Sequence, residues 1–276
     1  MSYARPQNPG RPENPSSARR RRLVALALCL VAAGMCRDAV ANDPATTRAP
    51  AWSYSGVAGP DQWGDLGGEY ETCARGELQS PIDIVETQRV SYTPLLFRYR
   101  SQLLEAENTG RGVRLISPPG SALVVRGQAY DLVEFSFHVP GLHGFEGVAA
   151  EAEIHMLHRD GQGGYAVVAV PLRAGERENR ILDRILEYLP TQPGERVRQR
   201  QVGINPLFLL PVDRSYYRYT GSLVTPPCTE PVLWFVFREP LEVSADQIQR
   251  IARATGTNAR PIQPLNGRPV FSLFRY

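Results

Sequence analysis

The sequence predicts one globular domain of mostly β structure, and three observations support this fold class. Four segments between residues 132 and 237 either alternate apolar and polar residues or form short apolar runs, as β-strands do. Only two segments have the spacing of amphipathic helices. No long break rich in Pro, Ser or Gly follows Trp52, so residues 51–276 are predicted to form a single domain.

The predicted strands lie in the second half of the chain. Residues Leu132–His138 and Glu151–His158 alternate between apolar and polar side chains. Residues Tyr165–Leu172 and Val232–Phe237 are continuous apolar runs, which are typical of strands buried on both faces. Together these four strands predict a sheet whose central strands are fully covered.

Two short helices are predicted beside the strands. The first is indicated by apolar residues at helical spacing: Ile181, Leu182, Ile185, Leu186 and Leu189. The second follows Ser244 and Gln247, which have the spacing of a capping box ahead of an apolar run. Few and short helices leave the sheet as the main element of the domain.

The first 41 residues are predicted to be a secretory signal peptide, and residues 42–50 a linker. Four consecutive arginines precede the apolar run Leu23–Met35, and Ala39 and Ala41 then form a small-residue cleavage site. The alternative, an N-terminal membrane anchor, is disfavoured because thirteen apolar residues are too few to span a bilayer. The chain is therefore expected to be exported, to the periplasm or outside the cell.

The distribution of charge argues against a nucleic-acid partner. All 31 basic residues are Arg, and those of the leader give it a net charge of +5. The remainder carries a net charge of −2, so the basic isoelectric point of about 8.7 is a property of the leader. No stretch of 18 apolar residues occurs, so no membrane span is expected after cleavage.

The cysteines predict one disulfide. Cleavage after Ala41 would remove Cys29 and Cys36 and leave Cys73 and Cys228. In an exported, oxidised chain these two are expected to pair, two free buried cysteines being the alternative. Closing a loop of about 155 residues would stabilise the fold by roughly 4–5 kcal/mol.

Four histidines, all between residues 138 and 158, indicate a possible metal site. Successive residues of a strand point to opposite faces. On the first strand one face is predicted to hold Leu132, Glu134, Ser136 and His138. On the second, one face is predicted to hold Glu151, Glu153 and His155. His138 and His155 can therefore converge from two paired strands, whereas His143 and His158 are predicted to be core histidines.

Eight segments between Trp52 and Val270 resemble, in the same order, those of the alpha-class carbonic anhydrases. They are Gly59–Asp65, Gln79–Asp83, Phe135–His138, Glu153–His158, Tyr165–Val168, Tyr219–Leu223, Thr225–Cys228 and Asn258–Arg268. The resemblance implies a largely antiparallel sheet of about ten strands, with a few short peripheral helices and a conical cavity. It also implies the pairing of Cys73 with Cys228, because exported members join matching cysteines.

The resemblance implies a zinc site that is degenerate here. Active members bind zinc through three histidines and use the bound water to attack CO₂. His138 and His155 match two of these ligands, but Ser136 stands in place of the third. A neutral hydroxyl is a poor zinc ligand, so zinc is expected to be absent or weakly bound. Glu153 matches the residue that orients His155.

Two more departures concern the residues that aim the zinc-bound hydroxide. In active members a threonine accepts the proton of that hydroxide and donates its own to a buried glutamate. The matching residues are Val224 and Leu142. Replacing only one partner would leave a buried polar group without a hydrogen bond, at a cost of about 1–3 kcal/mol in stability. Replacement of both by apolar residues therefore suggests that the site has changed in a way that preserves stability.

Glu134 and Arg111 complete the set of degenerate positions. Glu134 replaces a glutamine that steadies the missing histidine, and Arg111 replaces the histidine that carries protons to solvent. Arginine stays charged at any relevant pH, so it cannot relay protons. An ionised carboxylate in an emptied cavity needs a cation, so Arg111 and Glu134 are predicted to interact.

The apolar pocket that holds CO₂ in the family is matched in this sequence. Its residues here are Leu157, Val167, Leu223 and Trp234. The alternative is that these four residues are ordinary core packing.

Three functions follow from these observations. The first is an exported domain that no longer hydrates CO₂ and acts by binding, as carbonic-anhydrase-related proteins do; the resemblance implies a protein or an acidic polysaccharide as partner. The second is a weak or altered carbonic anhydrase, or esterase, with His138, His155 and Glu134 as metal ligands. The third is a secreted scaffold with no retained pocket.

Overall fold

The computed structural model of the protein describes residues 51–274. The predicted signal peptide and linker, residues 1–50, lie outside the described residues and stay predictions. Within the part described, no helix is long and apolar enough to cross a membrane.

The described residues contain sixteen β-strands and three α-helices. The strands are β1 (Asp83–Ile84), β2 (Gln88–Arg89), β3 (Leu96–Arg98), β4 (Gln102–Asn108), β5 (Val113–Ile116), β6 (Ala122–Val125), β7 (Gln128–His138), β8 (Gly144–Phe145), β9 (Val148–Ala149), β10 (Ala152–Arg159), β11 (Tyr165–Gly175), β12 (Arg196–Ile204), β13 (Tyr216–Gly221), β14 (Val232–Phe237), β15 (Leu241–Ser244) and β16 (Phe271–Leu273). The α-helices are α1 (Thr72–Arg75), α2 (Arg180–Glu187) and α3 (Ala245–Thr255). Short 3₁₀ helices occur at Gly56–Ala58, Pro60–Asp65, Gly68–Tyr70 and Pro206–Leu209.

One large sheet dominates the fold. Ten strands follow one another across it in the order β12-β4-β5-β7-β10-β11-β14-β13-β16-β2, with β3, β6 and β15 attached beside them. Most neighbours are antiparallel, but β11 runs parallel to β14 and β15, and β16 runs parallel to β2. A small second sheet contains β1, β8 and β9. The predicted fold class, a mostly β domain with a largely antiparallel sheet of about ten strands, is confirmed.

The four predicted strands correspond to β7, β10, β11 and β14. They are consecutive neighbours at the centre of the sheet. Both predicted helices are present as α2 and α3. Helix α2 begins after Asn179, whose side chain accepts hydrogen bonds from the backbone N–H groups of Ile181 and Leu182.

The capping box before α3 also joins the two helices. The Ser244 hydroxyl accepts a hydrogen bond from the Gln247 backbone, and Gln247 Oε1 accepts one from the Ser244 backbone. The Gln247 side chain is also hydrogen-bonded to the backbone N–H and carbonyl of Asn179 at the start of α2. One buried glutamine therefore fixes the first turns of both helices.

Replacing Ser244 with alanine is expected to destabilise the domain by about 1 kcal/mol, because the first turn of α3 loses its cap. The melting temperature should fall by about 2–4 °C in a domain of this size. Thermal unfolding followed by circular dichroism measures the change. Ser244→Thr is the matched control and should melt close to the wild type; equal losses in both variants would contradict a capping role.

The two faces of the main sheet bury different sets of apolar side chains. Along β11, Val168 and Val170 pack in the larger core, whereas Val167 and Ala169 belong to a smaller cluster. Trp234 of β14 continues the smaller cluster. Alternate residues of a strand point to opposite faces, so both strands are covered on both sides. The smaller cluster forms part of the wall of the cavity described below.

A β-bulge divides β7 into two parts. Leu157 of β10 pairs with Glu134, but the next residue, His158, pairs with Leu132, which leaves Val133 as an extra residue on β7. Glu134 lines the cavity, whereas Leu132 is buried in the larger core. The prediction that Leu132 and Glu134 share a face is wrong, because alternation fails where a strand gains a residue.

Candidate functional site

Two histidines meet on adjacent strands at the base of a cavity. His138 lies near the end of β7, and His155 lies on β10, directly opposite Ser136. The ring centroids of the two histidines are 4.3 Å apart, and Ser136 Oγ lies 3.2 Å from His138 Nε2. These three side chains are called the floor of the cavity from here on.

Hydrogen bonds behind the floor determine which imidazole nitrogens face the cavity. His138 Nδ1 lies 3.3 Å from the backbone carbonyl of Asn258, and His155 Nε2 lies 2.8 Å from Glu153 Oε1. Both of these oxygens can only accept, so those two nitrogens carry hydrogen. His138 Nε2 and His155 Nδ1 therefore present lone pairs. Burial lowers the pKa of His138 to about 3 and also lowers the pKa of His155, which keeps both rings neutral.

Glu153 is the centre of a fully buried hydrogen-bond network. Its carboxylate accepts from the backbone N–H groups of Leu142 and His143, at 2.9 and 3.0 Å. It is also bonded to His143 Nδ1 at 2.6 Å and to His155 Nε2 at 2.8 Å. Burial alone would raise the pKa of Glu153, but His143 and these hydrogen bonds hold it well below its usual value. The residue is ionised and has no free oxygen for a ligand.

The other two histidines have partners inside the protein. His143 uses both nitrogens, since Nδ1 faces Glu153 and Nε2 lies 2.8 Å from the Tyr219 hydroxyl. His143, Glu153 and His155 offer ligand atoms within 4.8 Å of one another, but each of the two histidines is hydrogen-bonded to the Glu153 carboxylate. His158 lies on the opposite face of β10, with Nε2 2.6 Å from the Tyr99 hydroxyl.

Glu134 pairs with Arg114, so the prediction of an Arg111–Glu134 contact is wrong. Arg114 Nη1 donates to Glu134 Oε2 at 3.0 Å, and Arg114 also contacts Glu107. Burial raises the pKa of Glu134, and the neighbouring guanidinium opposes that shift. Arg114 lies on β5, the strand beside β7, whereas Arg111 lies in the preceding turn and packs on the Trp52 ring, 4.3 Å from its centroid. Identifying Arg114 from sequence would have required the β5–β7 pairing.

The cavity above the floor has a volume of about 250 Å³ and an apolar wall. The wall contains all four predicted pocket residues together with one degenerate position: Leu157, Val167, Leu223, Trp234 and Val224. Leu142 is buried, is not among the lining residues of the cavity and packs in the same apolar cluster as Val224. Polar lining residues that the sequence did not indicate are Thr109, Arg114, Thr225 and Asn258.

A disulfide anchors the segment that carries Val224. Cys73 in α1 and Cys228 are bonded, as predicted, with their Cα atoms 5.0 Å apart. The segment is further held by backbone hydrogen bonds from Leu223 to Thr229 and from Cys228 to Thr225. This part of the cavity wall is therefore covalently joined to the N-terminal part of the domain.

The donor set of the floor does not fit a catalytic zinc site. Such sites use three charged or imidazole ligands and leave one position for water. Here the floor offers two imidazole nitrogens and, as the third group, the neutral hydroxyl of Ser136. The hydrogen of that hydroxyl is directed at His138 Nε2. The nearest carboxylate on the same strand face, Glu134, is already bonded to Arg114.

Comparison with known proteins gives consistent matches over the described domain. Residues 58–274 match the family model of eukaryotic-type carbonic anhydrase. A protein of Nostoc sp. named carbonic anhydrase is 34% identical over 260 residues, covering 92% of this chain and 98% of the relative.

Two solved structures illustrate the range of relatives. The alpha-carbonic anhydrase of Thermovibrio ammonificans, in complex with the inhibitor sulfanilamide, is 39% identical with a TM-score of 0.77, covering 80% of this chain and 98% of that one. Dioscorin complexed with ascorbate is 29% identical with a TM-score of 0.76, covering 82% of this chain and 99% of that one.

Proposed function

Because the chain belongs to the eukaryotic-type, or alpha-class, carbonic anhydrase family, we propose that it is a member that does not hydrate CO₂ and acts by binding. The observation that carries this proposal is Ser136, which takes the place of a third ligand and whose hydroxyl is hydrogen-bonded to His138 Nε2. Without three ligands the bound water that the reaction needs is not generated.

Three further residues support the proposal. Val224 and Leu142 are both apolar and pack in one buried cluster, so neither can hold or aim a hydroxide. Arg111 packs on Trp52 and stays charged, so it cannot act as a proton relay. Each step of hydration, from forming the nucleophile to exporting its proton, lacks a group that can perform it.

A weak or altered carbonic anhydrase is the second candidate. It is favoured by the names of the relatives and by the lone pairs of His138 and His155, which face the same cavity. Its third ligand would be Glu134, and that carboxylate would have to leave Arg114. Two histidines and one carboxylate can hold zinc, so metal analysis separates the two candidates.

The proposed setting is the periplasm or the extracellular space. The Cys73–Cys228 disulfide supports export, since such bonds persist in oxidising compartments. The proposed macromolecular partner is a protein or an acidic polysaccharide, and not a nucleic acid.

The test is metal content and CO₂ hydration of the purified protein. After dialysis we expect less than one zinc per chain, by elemental analysis, and no hydration above background in a stopped-flow assay. The Nostoc relative serves as a positive control in the same assay. One tightly held zinc together with measurable hydration would overturn the proposal and favour the weak enzyme.

A further inference from the structure

We infer that the cavity binds a small organic monoanion that also carries a hydroxyl group, with the hydroxyl on the floor and the anionic group at Arg111. This inference rests on the proposed function, in which the domain acts by binding and the cavity does not hydrate CO₂. It assigns a chemical class to that ligand from the polarity of the lining.

The floor accepts hydrogen bonds and has none to donate. His155 Nδ1 has a lone pair, because its other nitrogen gives its hydrogen to Glu153. The Ser136 hydroxyl gives its hydrogen to His138 Nε2 and keeps its oxygen lone pairs. A ligand group that meets this floor must supply a hydrogen, and a neutral hydroxyl does so at a lower desolvation cost than a charged group.

Arg111 supplies an unpaired positive charge to the same cavity. Within residues 51–274 its guanidinium has no carboxylate partner, and its Nε is buried without a hydrogen-bond acceptor. The other cation of the lining, Arg114, is already shared between Glu134 and Glu107. A buried donor without a partner is uncommon in folded proteins, so an acceptor at this point would satisfy it.

The position of Arg111 leaves it accessible to a ligand. It is half-buried in a turn whose neighbouring residues, Thr109 and Gly110, are exposed, and its guanidinium packs over the Trp52 ring. A guanidinium held in this way loses little further entropy on binding and offers two parallel N–H groups to a carboxylate.

The wall and the volume limit the size of the ligand. Between the polar parts the lining is apolar, with Leu157, Val167, Leu223 and Trp234. A volume of about 250 Å³ is below the range of roughly 300–1,000 Å³ that holds drug-sized molecules. One aromatic ring, or an aliphatic chain of similar size, fits these limits, and 4-hydroxybenzoate is the simplest probe.

The experiment is isothermal titration calorimetry of the purified protein, with a chelator present, against three probes. These are 4-hydroxybenzoate, benzoate without the hydroxyl, and phenol without the carboxylate. We expect 4-hydroxybenzoate to bind most tightly and each truncated probe to bind about ten-fold more weakly, since each loses a polar contact. No binding of 4-hydroxybenzoate, or equal affinity for all three probes, would overturn the inference.

Variants test the role assigned to Arg111. Arg111→Gln should weaken the binding of 4-hydroxybenzoate by about ten-fold and leave the binding of phenol unchanged. Arg111→Lys should keep most of the affinity for 4-hydroxybenzoate. Arg200→Gln is the matched control, because Arg200 is exposed on β12 outside the cavity, and it should bind like the wild type. If the wild type and Arg111→Gln bind 4-hydroxybenzoate with equal affinity, Arg111 does not form the anion site and the inference is wrong.

The same preparation, before the chelator is added, is assayed for zinc content and CO₂ hydration, which separates two kinds of failure. Hydration together with tightly held zinc would refute the proposed function. Absence of both hydration and probe binding would refute only the ligand class inferred here.

Discussion

Ser136→His is expected to raise the zinc affinity of the protein by roughly a hundredfold or more. Residues that only orient metal ligands already change metal affinity by about 10–100-fold, and this substitution adds a ligand. The two remaining ligands are already positioned. His138 is held through Asn258 and His155 through Glu153. Replacing Ser136 also removes the hydroxyl that donates to His138 Nε2, so this lone pair becomes available beside that of His155 Nδ1. Zinc titration by calorimetry or by a competing fluorescent chelator measures the gain.

Hydration of CO₂ should appear only when the aiming residues are also restored. Ligation creates the hydroxide, and a hydroxyl–carboxylate pair directs it, so these are separate contributions. Adding Glu134→Gln, Leu142→Glu and Val224→Thr to Ser136→His is therefore expected to raise hydration from background to a measurable rate. Leu142→Glu must be combined with Val224→Thr, because a lone carboxylate at a buried, apolar position is strongly destabilising.

The control for this series is Ser101→His, which makes the same replacement at an exposed position away from the cavity. It should leave zinc affinity at the wild-type level. If the four-fold variant folds but neither retains zinc nor hydrates CO₂, the site has diverged at positions other than these four.

Removing the disulfide with Cys73→Ala and Cys228→Ala together is expected to destabilise the domain by about 2–5 kcal/mol. The bond closes a loop of 155 residues, so its loss restores much freedom to the unfolded chain. In a domain of this size the melting temperature should fall by roughly 5–15 °C. Urea unfolding and differential scanning calorimetry measure the two quantities.

Wild-type protein treated with a reductant is the matched control for the double variant, because it loses the bond and keeps both side chains. Since both cysteines are buried, a larger loss in the variant than in the reduced protein would measure the packing of the sulfur atoms. Two alkylatable thiols in the non-reduced protein, found by mass spectrometry, would contradict the disulfide itself.

The central strands and both longer helices could be predicted because their signals are local. The apolar run of Val232–Phe237 predicted β14 with its observed bounds, and the Ser244–Gln247 spacing predicted the start of α3. The bulge at Val133 could not be predicted in this way, because an extra residue in one strand is defined by the pairing with another. Alternation therefore placed Leu132 on the wrong face.

The site shows the same division between local and long-range information. Alternation and the resemblance together predicted that His138 and His155 lie close to each other, as they do, since each residue belongs to a recognisable segment. The partner of Glu134 was missed because Arg114 approaches from β5, a strand without a strong sequence pattern. The unpaired state of Arg111 also required coordinates, since it depends on which acceptors lie nearby.

The hydrogen bonds of Glu153 distinguish a residue that the fold requires from Ser136, which the fold does not require. Without Glu153, the N–H groups of Leu142 and His143 would lose their acceptor in the core, with or without a metal. Among the described residues, the hydrogen bond that Ser136 Oγ makes is to His138 Nε2, at the edge of the cavity, so the fold does not depend on it. The framework around Glu153 is therefore independent of zinc chemistry, whereas the residue at position 136 can be exchanged without removing a hydrogen bond that the fold needs.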